Sequence, residues 1–380
     1  MPDFIGTADE ELSYFFVFLS NILHVNLTHQ IRRDDDRLRA SGSITPRAIT
    51  FAVSAFSLLW AFLAPEKLSA ASLISEPVGC VRVTIPAPAP GESNRKVLGV
   101  PFNRPSLYRA SLVSAAGTTL KCGSLGWQSG QFVQAPHFLK IRSGTNQGRY
   151  FSITGNTLDS VTVNATGFTF AAKDAFEIFP AQTLGSLFGT TSSTVALRSG
   201  TLEAQADLVR LRSGPTWITY FFNGTQWRTP GSTASQNNTL IQPEQGILLV
   251  CGGTSAVSLS LLGNISITPE MSAVPGSGEA LLSPRFPVQT TLSALNLQSL
   301  TGWIKGATAS LSDHVMKWNG ASWNIYYHTG ARWQMAGSND SQDSASIVPG
   351  ESLLIHRKDG STGASVAAKS LVPFAFKVSE

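Results

Sequence analysis

The chain has 380 residues, a net charge of +4, 42% hydrophobic residues and only 14% charged ones. That length holds two or three domains with their own cores, and abundant Gly, Ser and Thr suit strands and turns better than helices. Beyond the N-terminal region no Lys/Arg block stands out, which argues against nucleic acid as a partner. Three cysteines are too few for a disulfide scaffold, and their spacing suggests no metal site.

Residues 1–46 differ from the rest. A short apolar run, Tyr14 to Leu19, and a charged run, Arg32 to Arg37, read as an N-terminal extension: a cytoplasmic N-region, or sequence ahead of the true start. Ala48 to Ala64 is an uncharged apolar run behind Arg37, Arg39 and Arg47 and ahead of Leu68-Ser69-Ala70-Ala71. Basic, apolar and small-residue segments in that order make a secretory signal peptide over 47–71, cleaved near Ala71. The alternative is an uncleaved anchor, since about 17 apolar residues sit at the lower limit for crossing a ~30 Å hydrocarbon core. No later segment reads as a membrane span. The expected location is outside the cytoplasm: extracellular, cell-surface or periplasmic.

From 72 to 180, short alternating runs such as Val81-Arg82-Val83-Thr84-Ile85 and Phe138-Leu139-Lys140-Ile141-Arg142 are punctuated by Gly, Asn and Pro. Period-two alternation between turn signals predicts a small β-barrel or sandwich. Two similar stretches follow. Asp207 to Val250, around TWITYFFNGTQWR, recurs without a gap as Asp313 to Ile355, around SWNIYYHTGARWQ. Trp217 matches Trp323, Tyr220 matches Tyr326 and Trp227 matches Trp333, each 106 residues apart (323 − 217 = 106). A shared spacing over so long a window marks a tandem repeat, with units over 181–285 and 286–380. Each unit opens on a short predicted helix (Gln182 to Phe188; Thr290 to Leu297) and continues as a β-meander. The fold class is all-β.

Several motifs occur together. Glu76-Pro77-Val78-Gly79-Cys80-Val81-Arg82-Val83-Thr84-Ile85-Pro86 follows the signal segment, then come Val100-Pro101-Phe102-Asn103-Arg104-Pro105, LKIRSGTNQGRY over Leu139 to Tyr150, and the doubled YFFNGTQWR. This set resembles an uncharacterised paralogous family of exported β-rich proteins known chiefly from verrucomicrobial bacteria, with its DPVGYVTLTIP opening and its VRITSG and YYYYNGAWR motifs. Cys80 stands where that family favours Tyr. The resemblance implies export and a β-rich build, and no activity.

The aromatic hairpins are the first candidate for a binding surface. Asn223-Gly224 reads as a two-residue turn, which sets Phe222 opposite Thr225 and Tyr220 opposite Trp227. The same geometry sets Tyr326 opposite Trp333. Flat rings with polar tips suit sugars, but the same residues also suit a core. His328 and Asn324 share a face with Tyr326, which tilts that face towards water. Cys80 and Cys122, nearest in sequence, are the candidate disulfide. The loop Asn339 to Asp343 offers oxygen ligands of the kind Ca²⁺ takes, but its counterpart Thr233 to Asn237 has no carboxylate, so it reads as a polar turn. For catalysis, His137, His314, His328 and His356 are scattered, Asp174 and Glu177 read as a solvated pair, and no HExxH, GxSxG or P-loop occurs. No cofactor is expected. The reading is a secreted, non-enzymatic protein of the cell surface or extracellular matrix. Its partner would be a cell-surface polymer or glycan, or another copy of itself. The alternative is a hydrolase of extracellular polysaccharides, which requires two carboxylates, or a Ser/His pair, converging in one pocket.

Overall fold

The computed structural model describes residues 77–358 and 366–370; the extension over 1–46, the signal segment over 47–71 and the final tail lie outside the described residues. The fold is all-β, with antiparallel strands throughout. Among the described residues no helix is long and apolar enough to cross a membrane.

Alternation places the first strands. In β1 (Val78–Ile85), Val83 and Ile85 are buried while Arg82 and Thr84 stay exposed, and β2 (Asn94–Leu98) follows. The chain then runs through β3 (Tyr108–Ser111), β4 (Ser114–Ala116), β5 (Thr119–Lys121), a helical turn α1 (Gln131–Gln134), β6 (His137–Ile141), β7 (Tyr150–Asn156), β8 (Ser160–Val163) and β9 (Ala175–Pro180). These strands form one seven-stranded sheet, in the order β3-β9-β6-β7-β8-β5-β4. Leu139, Phe151, Val161, Phe176 and Ile178 close its core with Phe132 of α1. A bulge at Ile153–Gly155 bends β7 against β8.

After β9 come β10 (Gln182–Thr183), α2 (Leu184–Phe188), β11 (Leu208–Ser213), β12 (Thr216–Phe222), β13 (Trp227–Arg228), β14 (Leu240–Ile241), β15 (Ile247–Cys251) and β16 (Val257–Asn264). Thr183 and Ser186 cap α2 reciprocally, each side-chain oxygen accepting the other residue's amide N–H. The sheet order is β13-β12-β11-β15-β2, with β10 on β14 and β1 on β16. The second unit has the same plan. It runs through β17 (Glu270–Val274), β18 (Gly278–Leu282), β19 (Thr290–Thr291), β20 (His314–Trp318), β21 (Trp323–His328), β22 (Trp333–Met335), β23 (Ser346–Ile347), β24 (Leu353–Arg357) and β25 (Val366–Ser370). Its sheet order is β18-β24-β20-β21-β22, with β19 on β23 and β17 on β25. The helix expected at Thr290 to Leu297 is a turn there, because Asn296 enters the left-handed region and only a 3₁₀ turn, Leu297–Ser299, follows.

The expected boundary at 180/181 differs from the strand pairing. β1 and β2 pair with β16 and β15, so they complete the first meander unit. The seven-stranded sheet is an insertion between β2 and β10. Likewise the second unit starts at β17, ahead of 286, since β17 and β18 hold the places of β1 and β2.

The two meander units face each other with approximate two-fold symmetry. Gly99 N donates to Gly350 O at 2.8 Å; Ser283 N, one residue past β18 as Gly99 is past β2, donates to Glu244 O at 2.7 Å. Glu244 and Gly350 are themselves 106 residues apart (350 − 244 = 106). Such an exchange is the mark of an isologous contact. Val97, Leu281 and Leu354 close the apolar layer between the sheets. Gly99 and Gly246 are needed there: a Cβ on Gly99 would lie 2.5 Å from Ser283 Oγ, and one on Gly246 2.5 Å from Leu281 Cγ.

Candidate functional site

The hairpin register differs from the expected one, and the cause is one side chain. Asn223 Oδ1 accepts the amides of Thr225 (3.1 Å) and Gln226 (2.8 Å), while Asn223 N donates to Gln226 O. This makes Asn223 the first residue of the turn rather than its second. Phe222 therefore faces Trp227, and in the second unit His328 faces Trp333 while Tyr326 faces Met335. Thr329 Oγ1 does the same work as Asn223, accepting from Ala331 N and Arg332 N.

The rings point inward. Trp227 and Trp333 are 0% exposed, Tyr220 5%, Tyr326 8% and His328 7%. Trp227 packs between Phe188 and Phe222, and Trp333 packs against Trp303 and His328. Both sides of β12 are apolar because Tyr220 and Phe222 face the unit's own core while Trp217 packs against the layer between the sheets. None of the five residues offers an open ring face for a sugar. His328 does not tilt its face to water: burial, then the Lys305 charge, holds its ring below the usual histidine range, and its neutral Nδ1 accepts Gly330 N–H at 3.0 Å.

The candidate disulfide does not form either. Cys80 lies on the exposed face of β1 and Cys122 inside the core of the inserted sheet, and Cys80, Cys122 and Cys251 are all free thiols. In the loop Asn339 to Asp343, Asp343 Oδ1 accepts Trp333 N at 2.9 Å, as Asn237 Oδ1 accepts Trp227 N at 2.9 Å. An amide and a carboxylate serve equally because the task is to accept one backbone N–H. Among the described residues no group of three or more His, Cys, Asp or Glu is placed to hold a metal.

The scattered histidines are not all scattered. His314 and His356 are paired across β20 and β24 with rings stacked 4.5 Å apart, and His356 Nδ1 lies 3.4 Å from Glu279 Oε1. Asp174 and Glu177 do not pair with each other. Asp174 accepts Ala171 N, while Glu177 turns to Arg109 and Lys140.

Two polar sites absent from the sequence reading come from residues far apart in the chain. One is a buried charge cluster where the inserted sheet meets both meander units. Glu270 is ion-paired with Arg285 and with Lys140 (3.3 Å), and accepts the Tyr150 hydroxyl. Arg285 also donates to Asn103 Oδ1 and, at 2.6 Å, to Pro243 O. Burial alone would raise the Glu270 carboxyl, but Arg285 and Lys140 outweigh it and pull it to about 2. The Tyr150 phenol is pushed up by burial and by the Glu270 charge. Every charge here has a partner, so the cluster fixes how the three units dock.

The other is an open cleft of about 270 Å³ between the meander units. Ala273, Pro275, Leu281 and Leu282 give it apolar surface, while Arg212, Gln242, Glu244, Gln245 and Glu279 supply polar groups. Arg212 bridges the units, 2.7 Å from Glu279 Oε2, and its guanidinium lies against the Trp217 ring at 5.4 Å. Gln245 Nε2 donates to Arg212 O, so the amide is held while Gln242 stays exposed. Burial raises the Glu244 carboxyl above the usual carboxylate range, against the opposing pull of Arg285. Small polar-rimmed clefts with apolar floors at unit boundaries are where ligands bind. The lining residues of this cleft lie far apart in the chain, so their convergence needed the two-fold packing. No protein-family model, curated protein or solved structure matches the chain.

Proposed function

We propose that this chain is an exported, non-enzymatic tandem-repeat β protein of the cell surface or extracellular matrix. It binds a polar polymer, such as a glycan, in the cleft between its meander units. The observation that carries this reading is the cleft itself: amide and charged side chains over an apolar floor, with Trp217 under Arg212. Amides and guanidinium groups hydrogen-bond ring hydroxyls, and apolar carbon suits the flat side of a sugar. Export rests on the basic, apolar and small-residue order over 47–71.

The test is a titration of the full chain with soluble neutral polysaccharides, read by tryptophan fluorescence, with light scattering alongside. The expected result is a saturable change that weakens about tenfold when Gln242→Ala and Gln245→Ala are combined, since each hydrogen bond is worth about 0.5–1.5 kcal/mol. A flat titration, or unchanged affinity in that variant, overturns the cleft as the ligand site. Concentration-dependent scattering with a flat titration favours a packing role through self-association.

One observation favours a second reading, hydrolysis of a polysaccharide. Glu244 and Glu279 line the same cleft, Glu244 with a raised carboxyl, and glycoside hydrolysis uses two carboxyls of unequal acidity. Release of reducing ends that disappears in Glu244→Gln supports this reading. No release from any substrate that binds rules it out.

A further inference from the structure

A second depression opens on the surface directly outside the buried charge cluster. Asn103, Arg104, Ser106, Arg109, Arg142 and Glu177 form one side of it, and the linker Asn264 to Thr268 forms the other. Among the described residues its lining carries the guanidinium groups of Arg104, Arg109 and Arg142 and the carboxylate of Glu177. That carboxylate is committed: Glu177 Oε2 accepts from Ser106 Oγ at 3.0 Å and Arg109 Nε at 3.2 Å, and Oε1 faces Lys140 at 3.7 Å. Arg142 Nε is 3.9 Å from Glu177, outside hydrogen-bond reach, and Arg104 is exposed with no ion-pair partner among the described residues. Behind this wall, Lys140 is engaged with Ser266 Oγ at 2.6 Å and with Glu270. The depression therefore presents two guanidinium forks, those of Arg104 and Arg142, with donors to spare. A guanidinium fork matches a carboxylate or sulfate in shape and charge.

Size narrows the ligand. About 20 Å³ is room for one small polar group and not for a sugar ring. Among the described residues the lining around the arginines is mostly amide and hydroxyl, with Ile265 and Ile267 as its apolar members. That balance suits a hydroxyl-bearing ligand better than an apolar peptide end.

We infer that this depression binds a single carboxylate or sulfate group carried on an acidic polysaccharide, with Arg104 and Arg142 as its principal donors. The site is separate from the cleft and does not depend on it.

The test measures affinity of the full chain for polygalacturonate and for dextran sulfate, with neutral dextran and polyglutamate as comparisons. Arg104→Glu is the informative variant, since Arg104 is exposed and supports no ion pair among the described residues. Arg332→Glu makes the same charge change on an exposed residue of the second unit. The expected result is binding to one or both acidic polysaccharides that weakens with salt. It should fall at least about tenfold in Arg104→Glu, as two guanidinium donors act together, and stay within about twofold in Arg332→Glu. The arm that binds separates carboxylate from sulfate. Equal losses in the two variants would mean diffuse attraction and overturn the site. Polyglutamate binding as tightly as the best polysaccharide would overturn the saccharide assignment, and no acidic polymer binding at all would overturn both.

Discussion

Trp227 and Trp333 stand 106 residues apart at the same place in the two meander units, equally buried, yet only Trp227 hands its indole N–H to an acceptor, Gly189 O at 2.8 Å. Gly189 closes α2, and the second unit has a turn where α2 would be, so Trp333 Nε1 is buried with no acceptor among the described residues. An orphaned buried donor carries a desolvation penalty that its removal relieves. Trp227→Phe should therefore cost about 1 kcal/mol more than Trp333→Phe, measured by urea denaturation. Equal losses, or the reverse order, would refute the assignment. Alanine at either position should cost about 3–5 kcal/mol by opening a cavity.

Acid should loosen the junction of the three units. Glu270 sits near 2 in the folded chain against 4.5 for the free group. A depressed carboxyl adds stability that is whole above the unfolded value and is lost as pH falls through the folded one. The window is thus pH 4.5 down to about 2, and the loss is on the order of 3 kcal/mol. Melting temperature followed across that range should fall less in Glu270→Gln. That variant begins lower by about 3–5 kcal/mol at neutral pH, because Arg285 and Lys140 are left buried without their shared partner.

Asp207 and Asp313 do the same job with different neighbours. Asp207 accepts Arg198 N and Gly252 N, and Asp313 accepts Ile304 N and Lys358 N, all between 2.7 and 2.9 Å. Asp313 also ion-pairs with the fully buried Arg357 at 2.8 Å, whereas the half-exposed Arg198 is 3.8 Å from Asp207. Asp313→Asn should therefore cost about 3–5 kcal/mol and Asp207→Asn about 1.5–3 kcal/mol. Denaturation midpoints that reverse this order would show that Arg357 finds another partner.

Thiol chemistry should single out one cysteine. Cys80 is exposed, while burial pushes the Cys122 and Cys251 thiols up to about 12. The thiolate is the reacting species, so a chromogenic disulfide reagent should modify Cys80 quickly and the other two only after denaturation. Cys80→Ser should abolish the fast phase. Fast reaction of a second thiol would mean that one of the cores opens.

The strands and the 106-residue spacing were legible because alternation is local and because Asp207, Trp227 and Asn237 have close counterparts in Asp313, Trp333 and Asp343. The ownership of β1 and β2 was not, since Cys80 to Ile85 and Met271 to Val274 share little beyond alternation and their partners lie far along the chain. The hairpin register turned on the reach of the Asn223 side chain, and alternation cannot see that. Burial of the aromatic pairs was ambiguous because both faces of β12 are apolar. The charge cluster and the cleft were hidden for a plainer reason: Lys140, Glu270 and Arg285, like Arg212 and Glu279, meet only after the units dock.

The insertion between β2 and β10 sets an order on assembly. Strand β1 cannot find β16 until 172 to 186 more residues exist (257 − 85 = 172; 264 − 78 = 186), whereas the inserted sheet is continuous in the chain and closes on itself. Non-local pairing is slow, so during synthesis or threading the inserted sheet should solidify first while β1 and β2 wait as loose ends. Pulse-labelled amide exchange during refolding should protect β6 and β9 before β1. A chain built this way keeps its first two strands unsealed until residues 257 to 264 of the 380 have been made, although the sheet inserted behind them is already complete.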